Sequence, residues 1–265
     1  MNERLWLWVA LAFYAAATGL TVRRLQRGFV AGTLQHVNVA LVVAGFVVHT
    51  LALLLRGQHL HRCPLTNLFE VQAFIAWSLV LFYLVIGPSY RVSFLGAFTS
   101  PLVTAVLLVA LLAPIDVVAK VPQRHSAWVE FHAAIGIVAC GALALACVVG
   151  LMFLVQERQL KSRRPGRLML LLPSLDQLDV IGFRLLVVGF ALLTVGMVGG
   201  AISQRIVDPW PLPKTAWAVA VWCLYGVLLG GRATQSWRGR KAACGAIAAF
   251  LFTLAAFWGA TWLSK

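Results

Sequence analysis

The sequence predicts an all-α protein, a polytopic membrane helix bundle with about eight transmembrane helices. Hydrophobic residues make up 61% of the 265 residues and charged residues only 11%, whereas soluble domains average about 45–50% and about 25%. Apolar runs of roughly twenty residues, the helix length needed to cross about 30 Å of hydrocarbon, recur along the chain. This composition excludes an ordinary soluble domain, so any function must operate within the bilayer or at its faces.

Eight apolar runs define the predicted spans. Each is long enough to cross the bilayer as a helix, and short polar segments separate them. Because these runs leave no room for a separate soluble domain, the sequence predicts a single transmembrane domain over residues 1–265, without internal repeats. The predicted spans are 5–22, 35–55, 67–87, 94–113, 130–155, 180–202, 215–231 and 242–262.

The basic residues predict the orientation. Arg23, Arg24 and Arg27 follow the first apolar run rather than preceding it, which favours an uncleaved anchor with its N-terminus outside. With eight spans, both termini then lie on the outer, periplasmic side of a bacterial cytoplasmic (inner) membrane. The basic segment 158–167 lies in the cytoplasm and is interpreted as a topology signal, with lipid or partner binding as the alternative. The formal net charge of +14 therefore does not indicate nucleic-acid binding.

The sequence carries no motif of soluble catalytic chemistry: no P-loop, Ser/His/Asp order, HExxH or paired carboxylates of hydrolytic type. The five cysteines form no CxxC pair, and four of them fall inside or at the ends of apolar spans. This pattern predicts neither a disulfide framework nor a thiol redox motif. The chain is therefore not expected to be an enzyme.

His49 lies within the second span, in the segment GFVVHTLALLLRG. Its neighbours are apolar on every helical face, and a buried imidazole must find a hydrogen-bond partner or a metal. Three interpretations stay open: a structural histidine, a haem or metal ligand, and a proton relay. His49 precedes Arg56 by seven residues, so the predicted orientation places it about 10 Å below the outer surface.

Trp128 lies just before the fifth predicted span and His132 lies in its first turn, in the segment SAWVEFHAAIGIVACG. One helical turn separates them, so they share a face, and Gly136 and Cys140 continue that stripe. An aromatic plane beside a histidine suits a flat, apolar, anionic ligand such as haem, whose iron accepts an imidazole nitrogen. The alternative is an interfacial tryptophan beside a solvated histidine. The predicted orientation places His132 at the same outer face as His49.

Two weaker patterns lie between the second and third spans. His59, His61 and Cys63 alternate like a small metal site, against the alternative of a solvated loop. Asn67 and Glu70, in PLTNLFEVQAFIAW, have the spacing of a capping box, in which Asn67 accepts from backbone amides and Glu70 returns to the cap amide. A functional carboxylate at position 70 is the alternative.

Glycine pairs with a spacing of four residues occur in the sixth and seventh spans. This spacing lets membrane helices approach closely, which favours a packing role over a catalytic one and predicts a compact bundle. The pairs are Gly196 with Gly200 and Gly226 with Gly230.

Several segments together resemble the cytochrome c assembly proteins of the CcsA/ResC/CcmC type, which handle haem in membranes. The resemblance covers most of the chain, and the segments occur in the family's order. They are PLTNLFEVQAFIAW, similar to the family's Pro-x-x-Asn-Leu-x-Glu segment; WVEFHAAIGIVACGALALACVVGLMFLVQERQLK, similar to its helix led by an external histidine; and LDQLDVIGFRLLVVGFALLTVGMVGGAI and PKTAWAVAVWCLYGVLLGGRATQSWRGRKAA, similar to the spans around its tryptophan-rich loop.

The chain also departs from this family. The tryptophan-rich loop of full-length haem exporters is reduced to SQRIVDPWPLPK, which leaves Trp210 alone, and the family's membrane histidine aligns with Gly230. Of the family's three histidines, only His132 is expected to remain. This pattern is most similar to the short HemX/YpjD-like branch, whose HemX-like members are linked to control of haem synthesis.

The resemblance implies an integral membrane protein that binds or handles haem as its cofactor. His49 and His132 would supply axial nitrogens, either to one shared haem or to separate haems. Two tryptophans would flank the porphyrin and basic residues would pair with its propionates. These residues are Trp128 and Trp210 for the porphyrin and Arg124, Arg205 or Lys214 for the propionates.

Two rival interpretations stay open. A HemX-like regulator or scaffold would bind a haem-pathway enzyme through its basic cytoplasmic loops without holding stable haem. A small-molecule transporter is disfavoured, because intramembrane charge is confined to Arg184 and Glu70 and no pair of broken helices is evident. The expected partners are the lipid bilayer and haem-pathway or cytochrome c maturation proteins, and not nucleic acid.

Overall fold

The computed structural model of the chain describes residues 3–27, 33–90, 95–113, 116, 127–162, 173–206, 212–234 and 236–263. These residues form eight α-helices and no strand, and each predicted span falls on one helix. The helices are α1 (Glu3–Arg27), α2 (Thr33–Leu60), α3 (Leu68–Tyr90), α4 (Leu95–Leu112), α5 (Ala127–Lys161), α6 (Leu175–Ile206), α7 (Leu212–Ala233) and α8 (Arg240–Leu263).

Six of the described helices are long and apolar enough to cross a membrane, and the apolar stretch Phe98–Leu112 on α4 is shorter. The prediction of an all-α, multi-pass membrane bundle is therefore confirmed. The six candidate spans are Glu3–Arg23, His36–Leu60, Leu68–Ile86, Ala127–Lys161, Leu175–Ser203 and Thr215–Ala233.

Local side-chain chemistry explains where two of the helices begin. Asn67 precedes α3, and its Oδ1 accepts the backbone N–H of Glu70 over 2.8 Å. Ser174 precedes α6, where its Oγ accepts the N–H of Gln177 while the Gln177 side chain accepts the N–H of Ser174, each over 3.3 Å. Such caps satisfy amide groups that the first helical turn leaves without partners.

Helices α1 to α4 form the first of two compact units, which comprises Met1–Val121 with Ser162–Pro173. Within it, α1 contacts α2 and α4, and α3 contacts the same two helices. Its largest fully buried side chains include Tyr14 on α1, Phe69 and Leu79 on α3 and Leu107 on α4.

Helices α5 to α8 form the second unit, which comprises Pro122–Lys161 with Ser174–Lys265. Here α5 contacts α6 and α8, and α7 contacts the same two helices. A run of small residues on α5, including Ala139, Ala142 and Ala146, is buried, because side chains of this size let neighbouring helices approach closely.

The two units repeat one arrangement of four helices, and they share side-chain contacts as well as helix order. In the first unit, Trp77 on α3 stacks on Phe46 of α2 with ring centroids 5.3 Å apart. The same indole donates its Nε1–H to Thr50 Oγ1 over 2.8 Å. Thr50 in turn donates its hydroxyl to the carbonyl of Phe46, one turn earlier.

The second unit contains the same three residue types at the matching places. Trp222 on α7 stacks on Phe190 of α6 at 5.4 Å and donates Nε1–H to Thr194 over 2.9 Å. Thr194 donates to the carbonyl of Phe190. Segments 45–50 (GFVVHT) and 189–194 (GFALLT) therefore occupy equivalent positions on α2 and α6.

Glycine contacts extend this correspondence to the other helices. A Cβ atom added at Gly45 on α2 would lie 2.7 Å from the Tyr14 ring of α1, and one added at Gly189 on α6 would lie 2.6 Å from Leu143 of α5. Tyr14 and Leu143 are thus equivalent. Close glycine contacts recur between the third and fourth helices, in the pairs Gly96–Tyr83 and Gly245–Leu228.

The prediction that the chain has no internal repeat is therefore wrong. The repeat is carried by a few packing positions, such as the glycine, phenylalanine and threonine of the second helix, while the intervening residues differ. Without the contacts, so sparse a pattern does not stand out in a sequence whose commonest residues are Leu, Ala and Val. That the two units act as a single domain over residues 1–265 stays a prediction.

Candidate functional site

His49 lies on α2 in the interior of the first unit and is fully buried. Its Nδ1 is 3.4 Å from the hydroxyl of Tyr14 on α1, and the two rings meet edge to face with centroids 6.0 Å apart. The Ala73 carbonyl on α3 is close to the imidazole, but Nε2 makes no hydrogen bond with any described group. His49 thus has one partnered ring nitrogen and one unpartnered one.

The position of Tyr14 against α2 depends on Gly45. Because a Cβ at Gly45 would lie 2.7 Å from the Tyr14 ring, a larger residue there would push the phenol away. Gly45 precedes His49 by one helical turn, so the glycine creates the space in which the tyrosine meets the imidazole.

His132 lies in the second turn of α5, half-buried against α6. Its Nδ1 is 2.6 Å from the carbonyl oxygen of Gly196. Since a carbonyl can only accept, Nδ1 carries the proton and the lone pair of the neutral ring lies on Nε2. Histidines that bind metals usually donate their other ring N–H in this way, which fixes the tautomer and the ring orientation.

Two glycines of α6 bring its backbone close enough for this hydrogen bond. A Cβ at Gly196 would lie 3.3 Å from Ile135 and 3.5 Å from the Gly136 nitrogen on α5, and one at Gly199 would lie 3.1 Å from the Phe131 ring. The packing role predicted for Gly196 is confirmed. Around Gly230, by contrast, there is open space.

The remaining predicted haem-site residues are only partly described. Trp128 lies one turn before His132 and is 42% exposed. Its ring meets the Phe131 ring edge to face, with centroids 6.1 Å apart. Four predicted contacts lie outside the described part of the chain: Trp210 and Arg124, and the side chains of Arg205 and Lys214. His49 belongs to the first unit and His132 to the second, so a shared haem stays a prediction.

A buried ionic cluster lies where α2 ends and α3 begins. Arg56 on α2 donates from Nε and Nη2 to Glu70 Oε1 over 3.1 and 3.0 Å and from Nη2 to Asp116 Oδ1 over 2.6 Å. Arg62 Nη1 donates to Glu70 Oε2 over 3.1 Å. The Arg56 and Glu70 side chains are 5% and 0% exposed, so each charge depends on its partners for the solvation that burial removes.

The capping box predicted at Asn67 and Glu70 is only partly confirmed. The Asn67 side chain has its predicted partner, whereas the Glu70 side chain bonds to a neighbouring amide instead of the predicted one. Asn67 accepts the Glu70 amide as predicted, but Glu70 Oε2 accepts the backbone N–H of Thr66 over 2.8 Å, one residue before the cap. The Asn67 amide group also donates to Asp116 over 3.0 Å. The Pro-x-x-Asn-Leu-x-Glu segment thus takes part in an ion-pair network that includes Arg56 and Arg62.

The second unit contains a smaller, part-buried ion pair. Arg232 on α7 donates Nη2 to the carboxylate of Asp179 on α6, and Asp179 Oδ1 accepts the N–H of Gly239 over 3.1 Å. The Arg232 guanidinium also lies 5.3 Å from the centroid of the Phe183 ring. Its Nη1 has no hydrogen-bond partner among described groups, and the adjoining cavity of about 30 Å³ is large enough for a water molecule.

The metal site suggested by His59, His61 and Cys63 is wrong. No group of three or more His, Cys, Asp or Glu side chains within the described ranges is placed to hold a metal ion. The chain turns sharply after α2, with His61 at a positive φ of 51°, and the alternation in the sequence does not bring the three side chains together.

Fold and site together define a multi-pass helical membrane protein with two interior-facing histidines, each paired through Nδ1 within its own four-helix unit. The chain belongs to the cytochrome c assembly protein family, because the model of that family, described as "Cytochrome C assembly protein", matches residues 65–265. The match includes His132 and runs through both units.

Curated relatives support the same assignment. The chain is 25% identical over 257 residues to the cytochrome c biogenesis protein CcsA of Mesostigma viride, covering 86% of this chain and 83% of the relative. It is 28% identical over 244 residues to CcsA of Porphyra purpurea, covering 76% of each. It is 28% identical over 251 residues to CcsA of Chlorella vulgaris, covering 82% and 80%.

Proposed function

We propose that this chain binds and handles haem during cytochrome c assembly, in a bacterial cytoplasmic (inner) membrane, with His132 as an axial ligand. The observation that carries the proposal is the 2.6 Å contact between His132 Nδ1 and the Gly196 carbonyl. It assigns the lone pair to Nε2, the nitrogen that would coordinate iron. The names of the relatives support the assembly role.

The surroundings of His132 fit haem. The half-buried imidazole lies one turn from the exposed ring of Trp128, so a flat macrocycle would find an aromatic surface and an imidazole on one helix face. Haem would supply the iron and carry the redox chemistry, while this chain would bind and orient it. Arg124, Arg205 and Lys214 remain the proposed propionate partners and Trp210 the second aromatic contact.

His49 is the proposed second axial ligand, to the same haem or to another. Its unpartnered Nε2 supports this role, since a buried nitrogen without a hydrogen bond destabilises the protein unless something binds it. The ring is fully enclosed by the first unit. Ligation at His49 therefore requires the neighbouring helices to separate locally, whereas His132 is only half-buried.

Haem content tests the proposal. The protein is purified after expression with haem supplementation, and bound haem is measured as the pyridine haemochrome for wild type, His132→Ala and His59→Ala. His59, at the exposed end of α2, is the matched control. We expect bound haem in wild type and His59→Ala, and a loss of most of the bound haem in His132→Ala.

Equal haem retention in His132→Ala and His59→Ala would contradict His132 ligation. No haem in the wild type would contradict the proposal as a whole and favour a HemX-like regulator or scaffold that contacts a haem-pathway enzyme. Membership of the HemX/YpjD-like branch is itself a proposal, supported by the shortened tryptophan-rich loop. We propose binding and transfer of haem, rather than catalysis, together with other maturation proteins.

A further inference from the structure

A groove of about 640 Å³ opens between α7 and α8 in the second unit. It extends from Ala220 to Leu228 on α7 and from Gly245 to Phe252 on α8, and Trp237, in the turn between the two helices, lines one end. The lining contains no charged residue. Because empty space beside apolar side chains forfeits van der Waals contacts, an apolar group is expected to fill the groove in a membrane.

The internal repeat shows that the arrangement of four helices does not require this groove. Phe82 and Val227 are equivalent, since each lies five residues after one of the repeated tryptophans, but Phe82 is 7% exposed and Val227 is 61% exposed. On the next helix, Thr99 is buried, whereas its equivalent Ala248 is exposed. The second unit therefore has smaller and more exposed side chains on a face that is buried in the first unit.

Trp237 is fixed at the end of the groove by contacts with α7. Its backbone N–H donates to the Gly231 carbonyl over 3.1 Å, and the Ser236 hydroxyl donates to the same carbonyl over 3.0 Å. A Cβ atom added at Gly231 would lie 3.0 Å from the Trp237 ring, so the indole packs directly on the helix. Tryptophan is enriched where a membrane meets water, which assigns this end of the groove to the lipid headgroup region.

Three exposed basic residues follow Trp237, in the turn and in the first turn of α8. They are Arg238, Arg240 and Lys241. The sequence contains no acidic residue after Asp208, so the hairpin of α7 and α8 has no carboxylate of its own to balance them. Arg240 has a partner in Glu157 of α5, at 3.9 Å. Basic residues beside a membrane attract anionic headgroups.

We propose that this site binds one anionic phospholipid, with an acyl chain in the α7–α8 groove and the phosphate against Arg238, Arg240 and Lys241. From Ala220 to Leu228 the groove extends over about 12 Å of α7, close to the roughly 15 Å of hydrocarbon in one leaflet. This length fits an acyl chain, whereas the transmembrane helix of a partner would need a surface across both leaflets. The predicted orientation assigns the lipid to the cytoplasmic leaflet, and the proposal does not depend on haem binding.

Lipid binding to the full-length protein in detergent tests the headgroup contacts. Native mass spectrometry measures the binding of phosphatidylglycerol and of phosphatidylcholine with the same acyl chains. The charge variant combines Arg238→Gln with Lys241→Gln. Its control combines Arg23→Gln with Arg158→Gln, which removes two exposed arginines elsewhere on the predicted cytoplasmic side.

We expect wild type to bind one phosphatidylglycerol molecule more tightly than phosphatidylcholine. The charge variant should bind phosphatidylglycerol about 30-fold more weakly, because two cationic contacts to an anionic lipid are lost, and should bind phosphatidylcholine as wild type does. The control pair should match wild type with both lipids. Inorganic phosphate, added as a competitor, should not displace the lipid, since it has no acyl chain.

Substitutions that fill the groove test the acyl-chain contacts. Val227→Phe copies the residue of the first unit and should abolish binding of both lipids. Val219→Phe is the control, because Val219 is an exposed position on α7 that does not line the groove. Ala248→Leu fills the groove from α8 and should have the same effect as Val227→Phe. Thermal unfolding shows which variants are folded.

Four results would overturn the proposal. Equal affinity of wild type for the two lipids, or equal losses in the two arginine-containing pairs, would mean that the charges form no specific site. Wild-type lipid binding in the folded groove variants would exclude the groove. Displacement of the lipid by inorganic phosphate would indicate a simple anion site. A wild type that binds no phospholipid but dimerises through α7 and α8 would place a second copy in the groove.

Discussion

Arg56 and Glu70 form an ion pair buried between α2 and α3, with Arg56 Nη2 3.0 Å from Glu70 Oε1. The carboxylate also accepts from Arg62 and from the Thr66 amide, while Arg56 also pairs with Asp116. This network joins the end of one helix to the start of the next. Losing one member therefore leaves other buried charges without partners.

Substituting Glu70 by Gln should strongly destabilise the protein. The neutral amide leaves Arg56 and Arg62 short of negative charge, and breaking a buried ion pair in this way costs about 3–5 kcal/mol. Glu157→Gln is the control, because Glu157 pairs with the exposed side chains of Lys161 and Arg240 and such pairs contribute about 0–1 kcal/mol. Thermal unfolding in detergent measures both, and equal shifts would contradict a structural role for Glu70.

Because the tryptophan contacts are repeated, removing the indole hydrogen bond should lower stability equally in the two units. Trp77→Phe and Trp222→Phe each remove one indole hydrogen bond, to Thr50 and Thr194, and each threonine keeps its bond to a helix carbonyl. Each substitution should therefore cost about 1 kcal/mol. Thermal unfolding of both variants checks the match. A loss several times larger in one unit would mean that the contacts are not equivalent.

Substitution by alanine should have opposite effects on stability at Gly196 and at Gly230. At Gly196 the added Cβ meets Ile135 at 3.3 Å and the α5 backbone at 3.5 Å, whereas Gly230 has open space. Gly230→Ala should be neutral or stabilising by about 0.5–1 kcal/mol through helix propensity. Gly196→Ala should cost about 1–3 kcal/mol and should displace the carbonyl that orients His132.

Bound haem and thermal unfolding are measured for both Gly196→Ala and Gly230→Ala. A Gly196→Ala protein with wild-type stability and wild-type haem content would show that close approach of α6 to α5 is not needed at the His132 site.

Much of the fold could be predicted from the sequence, because the length of an apolar run determines whether a helix crosses a membrane. The ends of the helices were less predictable. The fifth span was predicted to cover 130–155, whereas α5 covers Ala127–Lys161. The helix continues through polar residues such as Glu157 and Lys161, because backbone hydrogen bonding does not depend on apolar side chains. A prediction based on the apolar run leaves these residues out of the span.

The candidate site was predictable only in part. His49 and His132 were found because an ionisable group in an apolar span is unusual. Their partners Tyr14 and Gly196 were not found, since the first is 35 residues away and the second acts through its carbonyl. Helix packing brings these groups together, and no local spacing encodes it.

The optical spectrum of His132→Ala tests the central claim most directly. The dithionite-reduced variant is recorded beside wild type, with and without added imidazole. If His132 ligates iron, the wild type shows a Soret band and sharp α and β bands, the variant loses or broadens them, and imidazole restores them. A variant spectrum identical to wild type without imidazole would contradict ligation by His132.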